Sequence, residues 1–309
     1  MPDAMTLLVL AAGMGSRYGG MKQLDPVGPG GEVLMDYSVF DAVRNGFKRV
    51  VFVIRPDMDS AFRDFVRDRY GNRIGLGIAH QRLEDVPAGA RVPPGRAKPW
   101  GTAHAVFAAR QAIEGPFAVV NADDFYGLPA FEAVRAWQPE APAAVPEFAV
   151  VGYRLGDTLS GAGGVNRGLL RSDDAGWLVA VEEVVGIAPP AHAVPSGDGS
   201  VLVGRSRGEP VRLGVEDVVS MNLWAFTPAV FPLLAAAFEI FLATADLARD
   251  ELLIPTVLQR AITEGRARVR VLDPRSPWHG MTYPADRPPV AAALAELAAS
   301  GRYPARLWP

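Results

Sequence analysis

Four glycines, an arginine and a lysine crowd one short stretch near the amino end. In LLVLAAGMGSRYGGMKQL (Leu7 to Leu24), Gly13, Gly15, Gly19 and Gly20 surround Ser16 and Arg17, and Lys22 follows. With no Cβ, glycine lets backbone N–H groups come close to a ligand. Amides turned inward form an anion-binding nest, to which Arg17 and Lys22 would add full charges. So many donors beside two cations suit a polyphosphate better than a carboxylate. The spacing is not that of a P-loop, because Gln23 follows Lys22, and it is not GxGxxG either. A flexible turn with solvated basic residues has the same composition and stands as the plainer alternative.

A second constellation lies a hundred residues on. The apolar run Phe117 to Val120 leads straight into Asn121-Ala122-Asp123-Asp124. Two carboxylates at the carboxyl end of a strand are hard oxygen ligands suited to Mg²⁺ shared with a phosphate. A turn or helix-capping pair is the other reading. Gln81 offers an amide able to match the donor and acceptor edge of a base, as well as an ordinary surface glutamine. Gly101-Thr102 reads as a tight turn with a helix N-cap, whose free amides make a further phosphate or base contact. Trp100 and His104 flank it as candidates to stack or hydrogen-bond, with His104 equally at home in a packed helix.

The elements that would position these groups alternate. Leu7 to Leu10, Arg49 to Ile54, Ile74 to His80 and Phe117 to Val120 read as buried strands. Helices over Met35 to Asn45, Asp59 to Arg69 and Ala103 to Ala112 fall between them. That pattern predicts a parallel sheet covered on both faces, with ligands bound at the strands' carboxyl ends. After a strand at Phe148 to Tyr153 the pattern changes. A hairpin is predicted from Leu169–Arg171 and Trp177–Glu183, closed by Ser172 to Gly176. Gly186 to Gly214, rich in proline, glycine and serine, reads as a surface loop. Asp217 to Phe226 resumes as a strand, followed by helices from Pro228 and from Arg249, a strand at Arg268 to Leu272 and a helix at Pro289 to Ser300.

The totals exclude several classes. The chain has 309 residues, 49% hydrophobic, with a formal net charge of -3, so nucleic acid is not an expected partner. No apolar run reaches the ~18–20 residues of a membrane span. Met1 to Met5 lack a signal peptide's pattern, which predicts a cytoplasmic protein with no membrane partner. With no cysteine and four histidines, thiolate chemistry is excluded and nucleophile–base pairs are scarce.

AAGMGSRYGGMKQL resembles the signature loop of the nucleoside-triphosphate:sugar-1-phosphate nucleotidyltransferases: a strand, then LAAGxGTR, a few residues and a lysine. Weaker similarity continues over most of the chain. The resemblance implies an α/β fold with a Rossmann-like mixed, mainly parallel sheet flanked by helices. This is the glycosyltransferase-A-like nucleotidyltransferase fold, with a small β-rich sugar-binding portion. It implies one domain over 1–309, with 1–150 mainly nucleotide-binding, 151–286 mainly acceptor-binding and 287–309 a C-terminal helix and tail. Ala11, Ala12, Gly13, Gly15 and Ser16 would contact the nucleotide, while Arg17 and Lys22 steady charge as pyrophosphate leaves. Gln81 would read the base, and Gly101 and Thr102 would lie against base and ribose, as in the family's GTAxA segment.

The family's Gly-Asp aligns with Ala122-Asp123, which makes Asp123 the first-choice Mg²⁺ ligand and Asp124 the second. In the family's YG…EEKP pair, the glutamate binds sugar hydroxyls and the lysine the sugar phosphate. Gly168 and Glu183 fit, but Val184 stands at the lysine's place. Asn222 takes the glycine position of N-x-G-[IL]-Y-x-F, where it would hydrogen-bond the sugar or satisfy backbone groups. Thr256 stands where the family's second metal-binding aspartate would be.

The implied reaction joins a nucleoside triphosphate and a sugar-1-phosphate with release of pyrophosphate. The departures at Val184 and Thr256 leave two alternatives open. One is a cytidylyltransferase for another phosphorylated acceptor, of phosphocholine or pterin type. The other is a non-catalytic nucleotide- or sugar-binding module. Base, sugar and homo-oligomerisation stay open.

Overall fold

The computed structural model describes residues 5–13, 25–87, 90–140, 143–189 and 201–308. Strand β1 (Thr6–Leu10) lies between β2 (Arg49–Ile54) and β4 (Phe117–Asn121), with β3 (Gly75–His80) beyond β2. All four are parallel. Helices α1 (Leu34–Arg44), α2 (Asp59–Tyr70) and α3 (Thr102–Ala108) fill the connections. Beyond β4 come the short β5 (Asp124–Phe125), α4 (Leu128–Ala136), β6 (Glu147–Arg154), β7 (Val165–Ser172) and β8 (Leu178–Ala188). Then follow β9 (Val201–Ser206), β10 (Glu209–Gly214), β11 (Val218–Phe226), α5 (Val230–Thr244) and α6 (Ile254–Thr263). The chain closes with β12 (Arg268–Leu272), β13 (His279–Gly280) and α7 (Arg287–Ala299).

The main sheet is mixed and runs β10-β9-β8-β7-β11-β4-β1-β2-β3. β6 pairs with β11, and β12 runs parallel to β6. Its central strands are apolar throughout because both faces are covered, and the two-residue pleat sorts the side chains. From β1, Leu7 and Val9 enter a core with Val39, Phe62, Tyr70 and Phe131 of α1, α2 and α4. Leu8 points the other way, into a core with Val106, Leu234, Phe238 and Leu258 of α3, α5 and α6. A third cluster packs α7 and the tail (Leu294, Tyr303, Leu307) on Tyr37 and Phe125. Among the described residues no helix is long and apolar enough to cross a membrane.

Boundaries differ from the sequence reading, most of all at two places. The stretch predicted as a loop over 186–214 contains the end of β8 and the whole of β9 and β10, which extend the sheet. The helix predicted from Arg249 begins at Ile254, where Pro255 occupies the first turn, a position that needs no amide donor.

Candidate active site

The site is organised by register. Leu10 pairs with Asn121 as β1 and β4 end, and the amide of Ala122 donates to the carbonyl of Leu10 at 3.1 Å. The glycine-rich stretch and the acidic pair therefore leave adjacent parallel strands at one sheet edge. Ala11 and Ala12 are buried there, Ala11 donating its amide to Val53 O at 2.8 Å, while Gly13 is exposed. Gly15, Ser16, Arg17 and Lys22 lie outside the described residues.

Asp123 is half-buried at the edge of a cleft, and Asp124 sits deeper behind it. Asp124 belongs to β5, held by its ladder partner Gly280 in β13. A Cβ at 280 would fall 2.5 Å from Asp124 Oδ1, so only glycine allows this approach. Asn121 Nδ2 donates to Asp124 Oδ2 at 2.9 Å. The Tyr126 hydroxyl stands 3.2 Å from the same oxygen, accepts the Asn121 amide at 3.0 Å and donates to Met221 O at 2.9 Å. Burial raises the Asp124 carboxyl above its ordinary value and the charge of Asp123 raises it further. Asn121, Arg167 and Tyr126 pull it back. An acid whose ionisation a neighbouring carboxylate opposes is suited to a cation shared with that neighbour.

The cleft has a volume of about 380 Å³ and gathers Thr102, Asp123, Asp124, Gly168, Glu183 and Asn222 from five separate stretches of chain. Gly168 and Glu183 are ladder partners across β7 and β8. Burial raises the Glu183 carboxyl, and Arg167 opposes that shift. Asn222 sits at a bulge of β11 with φ +67°, which explains why it takes a glycine's place: asparagine tolerates the left-handed region. Its amide is engaged by protein, Nδ2 donating to Asn121 Oδ1 at 2.8 Å and Oδ1 accepting Trp224 Nε1 at 3.0 Å. Arg167, which also lines the cleft, was not singled out by the sequence reading. Its only signal there was adjacency to Gly168.

The base-side expectations fare differently. Gly101 has φ +107°, and a Cβ would lie 2.8 Å from Leu252 N and nearer still to its carbonyl. Thr102 Oγ1 accepts the Ile254 amide at 3.2 Å, capping α6. The Ala103 amide donates to Leu252 O at 3.0 Å, so the start of α3 satisfies that donor internally. Gln81 is buried, its Nε2 donating to Gly101 O at 3.0 Å. It lines a different cavity, of about 270 Å³, with Arg55, Leu83 and Trp100. Trp100 is not available to stack, and of the two readings of His104 the packed-helix one holds. Trp100 is fully buried against Phe238 and Phe241, donating Nε1 to Leu83 O, and His104 is equally enclosed.

No protein-family model and no curated protein matches the sequence. Solved structures do. The inositol-1-phosphate CTP transferase from T. maritima superposes with a TM-score of 0.63 at 15% identity, covering 96% of this chain and 97% of that one. The fold is that of a nucleotidyltransferase. A UDP-glucose pyrophosphorylase complexed with UDP-glucose shares it, with a TM-score of 0.56 at 15% identity over 94% of this chain and 98% of its own. So does a Bacillus anthracis protein described as a glucose-1-phosphate thymidylyltransferase, at 0.60 and 12%, over 94% and 95%. On this nucleotidyltransferase fold, the cleft lies at the carboxyl end of β4, where open α/β sheets bind their ligands.

Proposed function

We propose that this chain is a nucleotidyltransferase that joins a nucleoside triphosphate to a sugar-1-phosphate, giving an NDP-sugar and pyrophosphate. The observation that carries the reading is the adjacency of the first loop's root to the Asp123–Asp124 pair, joined by the bond between Leu10 and Ala122, with the acidic pair lining the cleft. The similar folds of the T. maritima inositol-1-phosphate CTP transferase and the UDP-glucose pyrophosphorylase support it.

In this reading an acceptor phosphate oxygen attacks the α-phosphorus. The new O–P bond forms as the bond from the α-phosphorus to the bridging oxygen breaks, and pyrophosphate carries away that electron pair. The acceptor dianion has no proton to lose, so no general base is needed. Alignment and charge neutralisation supply the rate. Arg17 and Lys22 stabilise the departing pyrophosphate. Ala11, Ala12, Gly13, Gly15 and Ser16 form the nucleotide-binding loop and its root, Gln81, Gly101 and Thr102 shape the nucleotide side, and Gly168, Glu183 and Asn222 face the acceptor. Residues 1–150 then serve mainly the nucleotide and 151–286 mainly the acceptor, with 287–309 packed against the first half.

The donor set fits Mg²⁺. Among the described residues no group of three His, Cys, Asp or Glu is placed to hold a metal, but two carboxylates plus phosphate oxygens match Mg²⁺'s preference for few protein ligands. Asp123 would hold the ion with Asp124 behind it. When bound, it would offset phosphate charge in the transition state.

Pyrophosphate release across a matrix of nucleoside triphosphates and phosphorylated acceptors tests the proposal. Release with sugar-1-phosphates is the expected result. Release only with phosphocholine or pterin-type acceptors would select another transferase, and binding without release would select a sensing module.

A further inference from the structure

Three carboxylates line the cleft, Asp123, Asp124 and Glu183, and among its described lining residues Arg167 is the single cation. A phosphate monoester entering such walls meets repulsion unless that cation faces it. Arg167 is buried and makes no direct ion pair within 4 Å to any described carboxylate, although Asp124, Glu183 and Asp286 act on it from farther off. Its plane is fixed. Nε donates to Thr158 Oγ1 at 3.1 Å, Nη1 to Asn166 O at 2.9 Å and Nη2 to Thr158 O, while the guanidinium lies 5.1 Å from the centre of the Trp278 ring. Those bonds use three of its five N–H groups and leave one on each terminal nitrogen. Two such donors form a fork matched to a pair of phosphate oxygens.

The register places this fork where the neighbouring strand offers no charge. Arg167 is the ladder partner of Val184, which is fully buried and apolar. Gly168 and Glu183 are the next pair along, and Arg167 and Glu183 line the same cleft, so a polyol at Glu183 could have its phosphate at Arg167.

We infer that Arg167 binds the phosphate of the acceptor and so sets the requirement for a phosphorylated acceptor. The inference rests on the transferase reading above. Acceptor KM and kcat are to be measured for the full chain and for Arg167→Gln and Arg167→Lys, alongside nucleoside triphosphate affinity. Separate titrations with glucose-1-phosphate, unphosphorylated glucose and inorganic phosphate follow binding without turnover.

Arg167→Gln should weaken the phosphorylated acceptor ~10–100-fold, the range of a charge-assisted bond, while triphosphate affinity stays within about twofold. Arg167→Lys should recover part of the loss, since it keeps the charge but not the fork. It also serves as the folded control should the glutamine variant melt early. Equal weakening of triphosphate and acceptor, or an unchanged acceptor constant in both variants, would overturn the assignment. Absence of pyrophosphate release from the wild type would instead sink the transferase reading, and the titrations would still report on Arg167.

Discussion

Asn222 Nδ2 donates to Asn121 Oδ1 across 2.8 Å, joining the bulge of β11 to the end of β4. Trp224 Nε1 fixes the other side of the Asn222 amide, and Asn121 passes the order on to Asp124. Asp124 is therefore held by a chain of neutral polar groups.

Replacing Asn222 separates backbone from side chain. Asn222→Ala keeps a Cβ at φ +67° and loses both amide bonds, so it should destabilise by about 2–3 kcal/mol. Asn222→Gly loses the bonds but relaxes the backbone and should lose less. Urea midpoints in the order wild type, glycine, alanine are expected. Alanine matching the wild type would contradict the account.

Gly101→Ala tests the turn that seats Thr102. At φ +107° and pressed against the Leu252 backbone, a Cβ has nowhere to go. The expected loss is roughly 3 kcal/mol or more. A thermal melt reads it directly, and a variant melting within a degree or two of the wild type would be the contrary outcome.

Asp41 gives a pH signature remote from the cleft. It is fully buried, accepts the Tyr303 hydroxyl at 2.6 Å and leaves Oδ1 without a hydrogen-bond partner. Burial pushes its carboxyl up to about 7, with Tyr303 and Arg44 pulling it back. The fold thus binds a proton that the unfolded chain releases near the ordinary 3.8. The group's contribution is full below that value and is lost as pH rises through about 7, ~4 kcal/mol in all. Asp41→Asn should melt near the wild type at pH 5 and above it at pH 8. An unchanged difference between the two pH values would refute this.

Much of this was legible in sequence because apolar runs and turn residues mark buried parallel strands directly. Leu7–Leu10 and Phe117–Val120 needed no partner to be read, and the acidic pair followed from its place at a strand end. The β9–β10 extension was missed for a physical reason. In β9 Val201 and Val203 are exposed and Gly204 and Ser206 buried, so that only Leu202 and Arg205 keep the usual alternation. Arg167 was missed because its meaning lies in Thr158, Trp278 and Glu183, none of them near it in the pattern. Trp100 was misread because aromatic type alone does not distinguish a stacking platform from core.

The central claim is that the first loop and the acidic pair act on one set of phosphates, as the Leu10–Ala122 bond suggests. A double-mutant cycle on pyrophosphate release tests it, using Lys22→Ala, Asp123→Asn and the pair. Each single change should cut turnover by about 10²–10³-fold, and the pair should lose little more than the worse single, because groups acting on one transition state are not additive. Losses that multiply in full would show that the two groups act apart and would contradict the account.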